Sequence, residues 1–174
     1  MIQPRRSIRL RSADATDVTV ILAFINDLAE YEKLSHEVVV DEQSLSEWLF
    51  GRSPVAEVVI AEIDAEPVGF ALFFTSFSTF LGRPGIYLED LFVRPRHRGL
   101  GVGKALLRYL ARMALQRNYG RLEWAVLDWN SPAIDFYEGM GARYLSEWKT
   151  YRLSGDALAE FGGSKQMSRY GIEL

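Results

Sequence analysis

Arg96-His97-Arg98-Gly99-Leu100-Gly101-Val102-Gly103-Lys104 joins two segments of different periodicity. Before it, Ile86-Tyr87-Leu88-Glu89-Asp90-Leu91-Phe92-Val93 reads as a strand closed by Pro95. After it, Leu106, Leu107, Leu110, Met113 and Ala114 recur at helical spacing and predict a helix from Val102 to Gln116. A glycine-rich strand-to-helix turn lets backbone amides converge on an anion, and the helix N-terminus adds about half a positive charge. The turn is not a Walker loop, because Arg98 stands where that loop needs its first glycine. Nor is it a dinucleotide fingerprint: its glycines run G-x-G-x-G instead of G-x-G-x-x-G.

The charge around the turn favours a polyphosphate over a turn that only packs. Between Leu91 and Leu122 stand Arg94, Arg96, Arg98, Lys104, Arg108, Arg112, Arg117 and Arg121, with no Asp or Glu among them. A solvated helix face accounts for Arg108, Arg112 and Arg117, but not for the bases crowding the glycines. His97 is expected to be exposed in the turn and is given no catalytic role.

Working outward, Val55 to Ile63 and Val68 to Phe77 read as a hairpin joined by Asp64-Ala65-Glu66-Pro67. Ser7-Ile8-Arg9-Leu10-Arg11 alternates like a half-buried strand. Asp14 and Asp17 mark a helix start, and apolar spacing carries that helix to about Tyr31. A second short helix runs from Asp41 to Phe50. Beyond the central helix, Leu122 to Leu127 reads as a strand, and Ser131-Pro132 opens a short helix ended by Gly141-Ala142. Trp148 to Leu153 reads as a last strand. The order is mixed α/β (α+β) without internal repeat. It is read as one domain over residues 1–154 followed by a C-terminal helix or tail over 155–174.

Composition narrows the function. The chain has 174 residues, 48% hydrophobic and 25% charged, which suits a soluble globular fold. It has no cysteine and only His36 and His97, so thiolate metal sites, cysteine nucleophiles and histidine-rich metal centres are excluded, and no metal is expected. The net charge of −3 gives no expectation of nucleic acid. No long apolar run predicts a membrane span, and Met1 to Arg6 lacks the apolar core of a secretory signal, so a cytoplasmic location is expected.

Leu91-Phe92-Val93 followed by Arg98-Gly99-Leu100-Gly101-Val102-Gly103 resembles the R/Q-x-x-G-x-G/A signature of the GNAT superfamily of N-acetyltransferases. Asn130-Ser131-Pro132-Ala133-Ile134-Asp135-Phe136-Tyr137 strengthens the resemblance, which covers residues 7 to 154 in element order. It implies a mostly antiparallel central sheet flanked by helices. It also implies acetyl-CoA as co-substrate, with its pyrophosphate on the amides of Arg98 to Lys104 and its pantetheine arm on the main chain of Leu91, Phe92 and Val93. Asn130 would contact the cofactor arm, with Ala133 close by. Leu28-Ala29-Glu30-Tyr31-Glu32, Tyr87 to Val93 and Trp129-Asn130 further resemble the diamine (spermidine/spermine) and thialysine acetyltransferases. That likeness implies that Tyr31, Glu32, Glu89 and Asp90 face a small amine, that Tyr137 is the general acid, and that the protein is a homodimer. Glu138-Gly139-Met140 stands where the polyamine enzymes have basic residues, so contacts to the 3′-phosphate of CoA are expected to shift to Lys104 or nearby arginines.

The residue types suit acetyl transfer. An alkyl ammonium has a pKa near ~10.4, so neutralising it at pH 7 costs roughly 4–5 kcal/mol. Glu89 is expected to draw off that proton directly or through a water, Asp90 is the more structural acid of the pair, and carboxylates also attract a polycation. A Tyr137 phenol, with a reference pKa of ~10, stays protonated at pH 7 and can protonate a departing thiolate. An amide near Leu91 can polarise the acetyl carbonyl. A peptide acetyltransferase and a non-enzymatic acyl-CoA sensor remain open at this point. Charge is also divided along the chain: residues 1–90 carry a net −8 and residues 91–174 a net +5. The division suits a cationic amine and an anionic cofactor.

Overall fold

In the computed structural model, which describes residues 7–163, the hairpin expected from Asp64-Ala65 forms the middle of the sheet. Strands β2 (Glu57–Ile63) and β3 (Glu66–Ser78) pair antiparallel around it. Asp64 and Ala65 both have positive φ, 52° and 63°, the backbone of a two-residue turn whose twist matches the flanking strands. Strand β1 (Ile8–Ser12) pairs antiparallel with β2, and β4 (Arg83–Val93) antiparallel with β3. Strand β5 (Leu122–Trp124) then pairs parallel with β4, giving the order β1-β2-β3-β4-β5. A parallel pair needs a crossover. The helix that follows the glycine turn, Val102–Gln116, supplies it.

Strand β2 is buried from Val58 to Ile63, so both faces of the sheet are covered. On one face lie α1 (Val18–Glu32) and α2 (Glu42–Phe50), whose Ile21, Phe24, Leu45 and Leu49 pack with Val58, Ile60, Phe70 and Phe92. Phe24 stacks on Phe70 with ring centroids 5.3 Å apart. Burying each such ring stabilises by about 1.5–3 kcal/mol. The crossover helix α3 (Val102–Gln116) lies against the strands with Leu106 and Leu110 fully buried. Ahead of α1, Asp14 and Asp17 form a reciprocal capping box around a 3-10 turn, Ala15–Asp17. That single turn is tighter than the continuous helix expected there.

The described residues divide into two units, one ending at Ala125 and one beginning at Val126. The second holds α4 (Ser131–Glu138) and α5 (Gly155–Gly162). Residues 164–174 of the expected tail lie outside the described residues. Two strand expectations are corrected. Strand β5 stops at Trp124, short of Leu127. Trp148 to Leu153 is not a strand, and Tyr151 within it is 89% exposed. Alternation supplies a pattern but no ladder partner, and this unit has no other strand among its described residues.

Candidate active site

The site starts from an irregularity. Across β3 and β4, Leu72 pairs with Asp90 but Phe73 pairs with Leu88, so Glu89 is an extra residue without a partner. Regular alternation would put Leu88 and Asp90 on one face. The bulge instead turns Asp90 to the face of Phe70 and Phe92, where α1 packs, and leaves Glu89 exposed. Pairing with β5 ends at Leu88, so the following residues of β4 have no β5 neighbour. The Arg94 amide donates to Val68 on β3 at 2.9 Å. By alternation, the main-chain groups of Val93 and Leu91 point to the other side of β4.

Asp90 is half-buried and its carboxyl is pushed up to about 6, first by burial and then by the like charges of Glu89 and Glu32. Glu32, at the end of α1, is itself raised by burial. Three of the four expected amine-facing residues are thereby within electrostatic reach of one another. Tyr31, the fourth, is half-buried in the last turn of α1, next to Glu32. An acidic group that cannot easily ionise is suited to an ammonium, which restores the charged form by pairing with it.

The glycine turn follows from the same strand. Gly99 and Gly101 have φ of +75° and +88°, and nothing lies within 4 Å of where a Cβ would stand on either. Gly101 caps α3 without a side-chain hydrogen bond, so the cap residue leaves the first amides of this 15-residue helix uncovered. Open amides, two left-handed glycines and exposed Lys104 fit a pyrophosphate. Leu100 is exposed and Val102 buried, holding the turn to the core by one side.

Most of the basic residues nearby are already engaged. Arg94 lies 3.6 Å from Glu66 and 3.9 Å from Asp27, Arg96 pairs with Glu66, and both Arg117 nitrogens reach Glu57. Arg98 donates its Nε–H to the Val93 carbonyl at 3.0 Å, and its guanidinium carbon stands 4.4 Å from the Tyr31 ring centroid. Lys104, Arg108 and Arg112 remain as an exposed stripe along α3 with no ion pair among the described residues. His97 departs from expectation: it is 7% exposed, and its Nδ1 makes no hydrogen bond within the protein. It ends a 3-10 turn, Pro95–His97, in which successive side chains diverge by about 120°, so Arg96 points out and His97 in.

In the second unit, buried Asn130 accepts the Ala133 amide at its side chain and so caps α4. Tyr137 is half-buried in the last turn of α4, its ring 5.4 Å from that of Phe136. The bulge at Glu89 and the anchoring of Arg98 had no signal in the sequence, since each depends on a partner strand or helix. No helix among the described residues is long and apolar enough to cross a membrane.

A family model described as the acetyltransferase (GNAT) family matches residues 22–142. The chain belongs to that family. The GNAT chain is 40% identical over 167 residues to the thialysine N-epsilon-acetyltransferase of Bos taurus, covering 90% of its own length and 98% of that protein. It is 33% identical to the L-ornithine N5-acetyltransferase of Arabidopsis thaliana, with 86% of each chain covered. Among solved structures, an integron cassette protein from the mobile metagenome of V. cholerae superposes with a TM-score of 0.77 at 28% identity, covering 91% of this chain and 99% of that one. The five-stranded, mostly antiparallel sheet flanked by helices is the GNAT fold that the resemblance implied. This GNAT protein is an enzyme, an acetyl-CoA-dependent N-acetyltransferase acting on an amine.

Proposed function

We propose that this enzyme acetylates the side-chain amine of a small lysine-like amino acid. The observation that carries the reading is the Glu32, Glu89 and Asp90 cluster at the β4 bulge, next to the turn that fits the cofactor's pyrophosphate. The thialysine and ornithine activities named for relatives at 33–40% identity support an amino acid over a polyamine. Bound acetyl-CoA supplies the activated acetyl group. The protein's own residues do the rest. Asp90 and Glu32 draw in the ammonium end, and Tyr31 packs against its alkyl chain. Exposed Glu89 takes the ammonium proton, directly or through water, which lets the neutral amine attack. An amide at Leu91 polarises the acetyl oxygen. The Gly99–Gly103 amides and Lys104 hold the cofactor phosphates, while Leu91 and Val93 align its arm beyond the end of β5. Tyr137 donates its phenolic proton to the departing thiolate, and the Asn130 cap with Ala133 fixes the helix that carries it. The family resemblance supports a homodimer.

The test is CoA release from acetyl-CoA with thialysine, lysine, ornithine, spermidine and an aminoglycoside as acceptors. The highest kcat/KM is expected for the amino acids. Preference for spermidine would overturn the substrate class, and no release with any amine would overturn the reading as a whole.

A further inference from the structure

Helix α1 ends in a turn whose Tyr31 ring meets a cation from the cofactor turn. Its last turn carries Glu30 and Glu32 and no basic residue, so negative side chains sit on the negative end of the helix dipole. The chain leaves through Lys33 in the left-handed region, φ 62°, with the Leu34 amide bonded to Ala29 at 2.8 Å. Besides Lys33 at the cap itself, a cation from the cofactor turn meets this end at the Tyr31 ring. Arg98 is tied to Val93 through Nε at 3.0 Å, lies 4.4 Å from the Tyr31 ring and 5.7 Å from the Phe92 ring. One side chain therefore contacts the last residue of the cofactor strand, the start of the glycine turn and the residue next to Glu32.

We propose that Arg98 is a positioning residue for the amine: by seating Tyr31 from the cofactor turn, it holds the end of α1 that carries Glu32 and couples amine affinity to occupation of the turn. The proposal rests on the reading of Tyr31, Glu32 and Asp90 as the amine subsite. A turn drawn onto phosphates changes where Arg98 can stand, and by linkage whatever that does to amine binding the amine does in return to the cofactor. The contact is solvent-exposed, and a cation over an aromatic face contributes modestly there.

The test is a double-mutant cycle on the full-length enzyme, with each substrate varied in turn while the other is saturating. Arg98→Gln and Tyr31→Leu are each expected to raise the amine KM about fivefold with kcat changed less than twofold, and the double variant to be no worse than either single one. Tyr31→Phe keeps the ring face and should leave the effect of Arg98→Gln intact. Additive losses, a change confined to the acetyl-CoA KM, or a uniform fall in kcat would each overturn the proposal. Hydrogen exchange judges it without turnover. The Lys33 and Leu34 amides should exchange about fivefold faster in Arg98→Gln and in Tyr31→Leu, and no faster in the double variant. Unchanged or additive exchange rates would overturn the seating of Tyr31. An inactive wild type with the exchange cycle as expected would instead overturn the catalytic reading and leave Arg98 in place.

Discussion

Asp90 stands opposite Leu72 in the ladder between β3 and β4, while its neighbour Glu89 is the bulged residue with no partner across the strand. Two consecutive carboxylates thus meet different surroundings. Asp90 faces the α1 side of the sheet, half-buried and raised; Glu89 stays exposed. Solvent reaches the exposed one, and the half-buried one is poised to respond to a bound cation. The division of labour in the site follows from one inserted residue.

The raised carboxyl of Asp90 fixes the sign of a stability effect. Its carboxyl titrates at about 6 in the folded protein and at ~3.9 when unfolded. Its contribution to stability is fully present below about pH 4 and is lost as the pH rises through 6. With solvent reaching a half-buried group, Asp90→Asn should stabilise the protein by about 1–2 kcal/mol at pH 7.5 and leave it unchanged at pH 4. Denaturation at both pH values measures this; a variant less stable at pH 7.5 would contradict it.

The same group should appear in the kinetics. With Asp90 protonated, the cluster loses attraction for the ammonium, so kcat/KM should rise with pH through about 6. A further rise towards pH 9 is expected as the amine loses its own proton. In Asp90→Asn the lower limb should vanish while the upper one stays. A lower limb at the same pH in the variant would assign it to another group.

What the sequence made legible was local. The G-x-G-x-G turn, the α3 stripe of Leu106 and Leu110 and the Asp64-Ala65 hairpin each follow from residues within one or two turns of chain. The bulge at Glu89 was not legible, because a register shift belongs to two strands at once. The pairing of individual bases around the turn was not legible for a related reason. Arg96 pairs with Glu66, and Arg117 with Glu57, so acids far back in the chain neutralise charges that look free in sequence. The split of −8 and +5 survives mainly as Lys104, Arg108 and Arg112 on one side and Glu32, Glu89 and Asp90 on the other.

Gly101 tests the cofactor turn. Its φ of +88° costs an L-residue about 1–2 kcal/mol, and with nothing near a Cβ position the cost is backbone strain alone. Gly101→Ala should therefore raise the acetyl-CoA KM about tenfold while kcat at saturation falls less than threefold. Titration calorimetry with CoA should show the same loss. Unchanged affinity would remove this part of the turn from phosphate binding.

Arg11 and Asp17 should show the opposite pH sign from Asp90. Two Arg11 nitrogens reach Asp17 at 2.6 and 2.8 Å, and its Nε reaches Glu62 at 2.7 Å. The Arg11 hydrogen bonds, opposed by burial, hold the Asp17 carboxyl below its usual range. That contribution is present above about pH 4 and is lost as the pH falls through the depressed value. Asp17→Ala also frees the Asp14 amide and should cost about 2–3 kcal/mol at pH 7 in urea titrations, with the deficit shrinking in acid. Arg11→Lys should recover little, since an ammonium lacks the planar fork that spans both acids.

Tyr137 carries the proton in the proposed reaction, and its removal separates chemistry from binding. Its place in the last turn of α4 is set by the Asn130 cap at one end and the bond from the Ala142 amide to its carbonyl at the other, neither of which uses the phenol. Tyr137→Phe therefore keeps the helix and the ring contact with Phe136 and deletes only the hydroxyl. A positioned acid contributes about 10²–10⁴-fold, and water replaces part of that, so kcat should fall at least about tenfold. The acetyl-CoA Kd should stay within about twofold, because the phenol acts on a thiolate that exists only as the bond breaks. Steady-state rates with the preferred amine, together with calorimetric binding of CoA, give both numbers. Unchanged turnover would take the acid role from Tyr137, and a matching loss of CoA affinity would make it a binding residue instead.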